Sequence, residues 1–119
     1  MKSAGCTIRH SNLKRQPGRV LATTKYQFCA GLKDTDTPTP PSPASKDAVV
    51  QFLSNSFDYC SGVITNLTDA QLSQPHNSPD GRLPGREVLL ATYIHVAHHR
   101  GQAEIYPRDK GIRPPSYRI

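Results

Sequence analysis

Apolar residues recur at intervals of three and four along two long stretches of the chain. The first stretch follows Ser45, whose hydroxyl can accept hydrogen bonds from the first free amides of a helix. The second runs from about Arg86 to Tyr106 and is apolar on several sides, which predicts a central, mostly covered helix. The apolar positions of the first stretch are Val49, Phe52, Leu53, Phe57, Cys60, Val63, Ile64 and Leu67. Both patterns are typical of helices that pack against a core.

Weaker signals predict the remaining elements. Residues 19–32 have a helical pattern that ends near Gly31, and Thr68-Asp69-Ala70-Gln71 is a capping-box pattern for a short helix. Turn residues over 75–85, among them Pro79-Asp80-Gly81, predict a loop or a small hairpin. No segment alternates convincingly between apolar and polar residues. The predicted fold class is therefore all-α, a bundle of helices.

Proline and glycine divide the chain into an arm and one domain, which contains a connector. Pro17-Gly18 is a strong helix interruption, so residues 1–19 are predicted to form a basic, poorly ordered arm. Residues 20–119 are predicted to form one helical domain, since 119 residues suffice for a single core. Within it, residues 33–44 form an exposed connector that no helix can cross, because it holds four prolines.

The net charge of +6 invites a nucleic-acid interpretation, but its distribution argues against one. Residues 1–25 carry six basic side chains and no acidic one, whereas nine basic and nine acidic residues cancel over the rest. The basic arm lacks interleaved aromatic residues and any motif that reads bases, so no specific nucleic-acid partner is predicted. No stretch reaches the roughly 20 apolar residues of a membrane span, and no secretory signal follows the amino terminus.

The three cysteines form no CxxC pair and are odd in number. A disulfide framework is therefore not expected, and a reduced cytoplasmic setting fits best. We expect Cys29 and Cys60 to act as small buried apolar residues.

The most informative candidate chemistry is the octapeptide His95-Val96-Ala97-His98-His99-Arg100-Gly101-Gln102. His95 and His99 are four residues apart, so on a helix both imidazoles can converge on one divalent metal ion, zinc or nickel above all. His98 lies about 100° around the helix axis from His99, so it is not expected to bind the same ion. Its expected roles are a hydrogen bond to a metal-binding side chain, a contact with a neighbouring residue, or the transfer of a proton. His98 and Gln102 are the candidates for orienting a substrate or water. Gly101 is expected to permit close approach of a neighbouring helix or ligand.

The remaining ligands are not evident from the sequence. A zinc protease needs glutamate after the first histidine, and Val96 stands there, so that reaction is excluded. His76 is expected to be exposed to solvent, and His10 lies on the basic arm. Asp58 and Cys60 belong to a helix that should pack nearby, but nothing in the sequence directs either side chain at the histidines.

The carboxy-terminal residues resemble the DinB-like family. The run from Ala91 to Tyr106, with His95, His99 and the Gly101-Gln102 pair, is followed by Lys110-Gly111-Ile112-Arg113-Pro114-Pro115, as in that family. Residues 25–29 and 67–72 resemble earlier family segments. The resemblance implies a four-helix bundle that holds a divalent metal with three histidines, often as a homodimer. It also implies a small-molecule substrate, because related members are metal-dependent transferases using low-molecular-weight thiols such as bacillithiol or mycothiol.

The chain departs from the family pattern at three places. The third family histidine falls at Val20, which cannot bind a metal, and the first family helix has no counterpart before Arg19, so the bundle is expected to be incomplete. Pro107 is expected to end or kink the last helix one turn early. Two functions follow: a metal-dependent thiol S-transferase or hydrolase-type enzyme with a compromised histidine triad, or a noncatalytic helical module with weak or no metal binding.

Overall fold

The computed structural model describes the backbone of residues 2–116 and the side chains of residues 17–116. Its fold is mainly α, as the sequence predicts, with one small antiparallel hairpin. The elements are α1 (Lys2–Lys33), α2 (Lys46–Thr65), α3 (Asp69–Ser73), β1 (Pro75–Ser78), β2 (Gly81–Pro84) and α4 (Gly85–Asp109). No helix in the described part of the chain is both long and apolar enough to cross a membrane.

Helix α1 is the central element of the bundle. It packs against both α2 and α4, and its buried residues fill both contacts. Tyr26 lies between Phe52 and Tyr59, with ring centroids 5.1 and 5.3 Å apart, while Phe28 is fully buried. The prediction that the histidine helix is the central, mostly covered element is wrong, because α4 lies at the side of the bundle and buries only one face.

A disulfide bond between Cys29 and Cys60 ties α1 to α2. The two Cα atoms are 5.5 Å apart, within the usual range for a disulfide, and both side chains are buried. The sequence correctly predicts the burial of both cysteines. The expectation that they stay unbonded is wrong, because the packing of α1 on α2 brings two cysteines 31 residues apart into contact.

The helix interruption predicted at Pro17-Gly18 is also wrong. Helix α1 begins at Lys2 and passes through Pro17, so it includes the residues for which a poorly ordered arm is expected. Proline has a helical φ value, and its cost in a helix is mainly one missing hydrogen bond and a steric clash. Pro17 and Gly18 lie near α2 and α4, and a Cβ at Gly18 would lie 3.7 Å from Leu53. We attribute the continuation of the helix to this packing.

The connector and the two predicted helix starts are as expected. Residues 34–45 are irregular, and Arg19 Nε donates to the Pro41 carbonyl oxygen at 2.8 Å, which fastens the connector to α1. Ser45 Oγ accepts from the Ala48 amide at 3.3 Å and caps α2. The capping box from Thr68 to Gln71 is complete, so each residue satisfies the other's amide at the start of α3.

The hairpin packs against the carboxyl end of α1. A side chain at Gly31 would overlap the Asn77 carbonyl group, so glycine permits this close approach. The same packing buries His76, which is only 4% exposed and whose Nε2 lies 2.7 Å from the Gln71 carbonyl oxygen. The prediction that His76 is exposed to solvent is therefore wrong.

Pro107 does not end α4 one turn early. The helix continues to Asp109, and the Pro107 carbonyl oxygen accepts hydrogen bonds from the amides of Lys110 and Ile112 at 3.0 and 2.9 Å. The amide missing at Pro107 removes only the hydrogen bond to the carbonyl oxygen four residues earlier, so the residues after the proline can keep a helical conformation. The expected early end is wrong for this reason.

Removing the disulfide should destabilise the bundle. The Cys29→Ala/Cys60→Ala variant is expected to lose roughly 3–4 kcal/mol of unfolding free energy, because the open chain regains the entropy of a 31-residue loop. Urea denaturation with and without a reductant measures this difference. A reductant should lower the free energy of unfolding of the wild type and leave that of the variant unchanged. It should also add two titratable thiols per wild-type chain in denaturant. Equal thiol counts before and after reduction would contradict the bond.

Candidate histidine site on α4

Three imidazole rings form a cluster on one side of α4. The ring centroids of His95 and His99 are 4.7 Å apart, and His98 lies 5.1 Å from His99 and 6.4 Å from His95. The rings differ in exposure: His99 is buried, His95 is half-buried and His98 is exposed. This gradient follows from the helix, since His95 and His99 share the face directed at α1 and His98 lies off that face.

Gln102 holds the buried ring in place. His99 Nδ1 and Gln102 Oε1 are 2.7 Å apart. An amide oxygen only accepts, so Nδ1 carries a proton and donates it in this hydrogen bond, and Nε2 is the ring nitrogen that remains for another partner. The candidate residue Gln102 thus orients His99, much as outer hydrogen bonds orient metal-binding histidines.

The surroundings of His95 favour its neutral form. Burial lowers the pKa of His95 below its usual value, and the neighbouring His99 and His98 lower it further, whereas the carboxylate of Asp80 acts in the opposite direction. The His95 ring meets the edge of the buried Phe28 ring at a centroid distance of 5.6 Å. A half-buried ring beside an aromatic side chain loses hydration, which disfavours the charged imidazolium.

An apolar pocket of about 240 Å³ lies beside the cluster. Its walls come from all three long helices, and His99 is one of its lining residues. The others are Pro17, Gly18, Leu21, Leu53, Phe57, Val96, Arg100 and Ala103. A pocket with apolar walls and a few polar groups is the usual form of a small-molecule site.

Sequence reasoning missed a buried cation close to this pocket. Lys25 is only 6% exposed, and its Nζ lies 2.8 Å from the ring centroid of Phe57, a pocket residue. Burial lowers the pKa of Lys25 to about 8, although Asp58 raises it in part. Leu21, Lys25 and Phe28 follow helical spacing, so the sequence could have predicted that this lysine lies on the apolar face of the helix.

The described residues do not supply a closed metal site. Among the side chains of residues 17–116, no three histidine, cysteine or carboxylate groups are arranged so that they could bind one metal ion together. Val20, at the position of the third family histidine, is 38% exposed and has no donor atom. Cys60 is bonded to Cys29, and His76 lies against Gln71 in the hairpin. The side chain of His10 lies outside the described residues.

Among residues 17–116, no neighbouring helix approaches Gly101, since a Cβ placed there would meet none of their atoms within 4 Å. Close approach by a ligand, the other part of the expectation for Gly101, stays a prediction.

Comparison with known proteins identifies the class of the chain. It matches the DinB superfamily over residues 15–103, most of its length, and therefore belongs to that superfamily. It is also similar to the uncharacterized protein YrdA of Bacillus subtilis (strain 168), with 26% identity over 103 residues. That match covers 82% of this chain and 56% of YrdA, so the chain spans about half the length of this curated relative. The resemblance read from the carboxy-terminal residues is confirmed at the level of the superfamily.

Replacing the buried cation should stabilise the fold. Lys25→Met is expected to raise the unfolding free energy at pH 7 by about 1–2 kcal/mol, because methionine fills the same space without the cost of burying a charge. The folded-state pKa, about 8, lies below the usual lysine pKa of 10.5, so the unfolded wild type holds more protons between these pH values and the free energy of unfolding rises with pH there. Urea denaturation at pH 7 and pH 10 measures both effects. Lys33→Met, at an exposed position, is the matched control and should change neither.

Acidification should destabilise the histidine site. The unfolded chain binds a proton at His95 before the folded chain does, so stability falls as pH drops below 6.5 toward the lower folded-state pKa. His95→Gln should remove this part of the loss. Asp80→Asn should enlarge it, since that carboxylate supports the charged ring. Denaturation curves between pH 7 and pH 5 test both substitutions. If the free energy of unfolding changes equally with pH in the wild type and the two variants, the pH dependence does not come from His95.

Proposed function

We propose that this DinB-superfamily domain binds the thiol end of a low-molecular-weight thiol in the apolar pocket beside His99. The single observation that carries the proposal is that a buried imidazole lines an apolar pocket, with its Nδ1 2.7 Å from Gln102 Oε1. Because Nδ1 donates to Gln102, Nε2 is the atom that can accept a proton. A thiol suits these walls, since its sulfur is weakly polar and its proton can pass to an imidazole.

The chemistry proposed for this site is thiol activation. The S–H proton moves to His99 Nε2, which leaves a thiolate beside an imidazolium whose Nδ1–H still donates to Gln102. His98 is exposed at 5.1 Å from the His99 ring and can carry the proton onward to solvent. The low-molecular-weight thiols of related members are the first ligands to try.

We also propose that His95 and His99 bind zinc or nickel weakly. Two imidazole donors leave at least two positions of a tetrahedral shell to water, and such a site binds less tightly than one with three or four protein ligands. Metal-dependent S-transfer of the family kind needs a third donor, which the described side chains do not provide. A cytoplasmic location stays a prediction from the sequence, and disulfides such as Cys29–Cys60 are rare there.

The second candidate function is a noncatalytic helical module. The observation that favours it is Val20, an apolar side chain at the position where the resemblance places the third histidine. Such a module would keep the bundle and its surfaces without thiol or metal chemistry.

Calorimetric titration of the 119-residue chain separates the two functions. Bacillithiol and mycothiol should bind the wild type once per chain, and His99→Ala should lose this binding, because the proton acceptor is gone. His76→Gln is the control, since that histidine lies in the hairpin and contacts Gln71. If neither thiol binds, or if His99→Ala binds as the wild type does, the thiol proposal is wrong.

Zinc titration by the same method examines the metal pair separately. The expected result is one weak site per chain that is lost in His95→Ala and in His99→Ala and retained in His98→Ala. Tight binding that survives either single substitution would mean that other residues hold the ion. Absence of any zinc or nickel binding, together with absence of thiol binding, would favour the noncatalytic module.

A further inference from the structure

A groove with apolar walls and a basic rim lies between the carboxyl end of α4 and the residues that follow it, 111–116, which form an irregular tail. The groove has two adjoining parts of about 590 and 500 Å³, and Glu104 and Arg113 line both. The residues of its apolar walls are Ala103, Pro107, Ile112, Pro114 and Pro115. It meets the pocket beside His99 at Arg100 and Ala103, which line both cavities.

Contacts within the chain hold the tail beside α4. Gly111 has a φ of +72°, a left-handed conformation that glycine adopts readily, and the chain turns back at this residue. Arg100 Nη2 then donates to the carbonyl oxygens of Pro115 and Ser116, at 3.3 and 3.5 Å. Because proline fixes φ, Pro114 and Pro115 restrict the conformations of the returning segment. The groove is therefore formed by the chain's own contacts and needs no ligand to form it.

The groove has an excess of positive charge. Three guanidinium groups line it, those of Arg100, Arg108 and Arg113, whereas Glu104 is the acidic residue among the described residues of its walls. Each carboxylate oxygen of Glu104 accepts from one arginine, Oε1 from Arg100 at 3.1 Å and Oε2 from Arg108 at 3.4 Å. One carboxylate thus faces three cations, and Arg113 has no ion-pair partner among the described side chains.

The chemistry of the rim and walls defines the kind of ligand that fits. The side chain of Arg108 is 65% exposed and donates to Glu104 through Nη2, so its other N–H groups can reach a ligand, and Arg113 is exposed as well. Guanidinium groups bind carboxylates through pairs of parallel N–H donors. Ile112 and the three prolines of the walls offer apolar surface to the rest of such a ligand.

We propose that this groove binds a small organic anion, a carboxylate attached to a flat apolar ring system. The carboxylate pairs with Arg108 and Arg113, and the ring lies against Ile112 and the prolines of the walls. His99 does not line the groove, so this site goes beyond the proposed thiol function and does not depend on it.

Fluorescence titration of the 119-residue chain with 2-naphthoate and with neutral 2-naphthamide tests the class of ligand, because the two probes share one ring system. Naphthoate should bind once per chain and at least about tenfold more tightly than naphthamide, since hydrogen bonds between charged groups are stronger than those between neutral ones. The difference should decrease at high salt, because the arginines are exposed to solvent. Equal affinities for the two probes at low salt would contradict the proposal.

Substitutions locate the anion within the groove. Arg113→Met should weaken naphthoate binding by about tenfold without changing thermal unfolding, because this exposed side chain supplies a charged donor to the ligand. Lys110→Met is the matched control, since Lys110 has the same charge near the groove but does not line it. Glu104→Gln should strengthen naphthoate binding and leave naphthamide binding unchanged, because the Glu104 carboxylate competes for the same guanidinium groups.

Three results with these variants would each overturn the proposal: unchanged naphthoate binding in Arg113→Met, an equal loss in Lys110→Met, or no gain in Glu104→Gln. His99→Ala separates this site from the proposed thiol site. It should bind naphthoate as the wild type does, whether or not the wild type binds thiols. Loss of naphthoate binding in His99→Ala would place the probe in the pocket beside His99 and show that the assignment to the groove is wrong.

Discussion

The burial of α1 between α2 and α4 is the constraint on which the rest of this structure depends. Helix α1 contacts α4 through Phe28 and contacts α2 through Tyr26, so its side chains form part of the core on both sides. Because α1 is covered on two faces, it carries residues that would otherwise be unfavourable in a helix, such as Pro17. The disulfide between Cys29 and Cys60 links α1 to α2 covalently.

The central position of α1 also explains the state of the histidine site. His99 is buried because it faces α1, and His95 loses part of its hydration beside Phe28, which favours the neutral form of the His95 imidazole. The described residues supply no third donor for an ion, and the resemblance places Val20 at the position of the third family histidine. For this reason we propose thiol activation at this site rather than an enclosed metal ion.

Helix α4 differs from an ordinary surface helix in having two apolar faces. One face is used within the chain, and the other exposes Leu90, Ile94 and Ile105. From the sequence alone, this all-round apolar character predicts a central helix, since a helix that is hydrophobic on every side is usually buried. In the described part of the chain the second face is exposed to solvent, so apolar residues on several sides of a helix do not by themselves place it at the centre.

The sequence by itself determined the elements that depend on neighbouring residues. The cap at Ser45, the capping box at Thr68 and the helical spacing of His95 and His99 are local, and each can be read from a few positions. The carboxy-terminal motif also sufficed for the superfamily, because its residues are contiguous.

Only the tertiary structure decided the features that join distant segments. The Cys29–Cys60 bond, the burial of His76 and the lowered pKa of Lys25 all depend on which helix or strand lies opposite each residue. The continuation of α1 through Pro17 and the position of α1 at the centre have the same origin. Neighbouring residues determine how readily a segment forms a helix. The elements that pack against that helix depend on contacts between distant parts of the chain, so no short stretch of sequence predicts them.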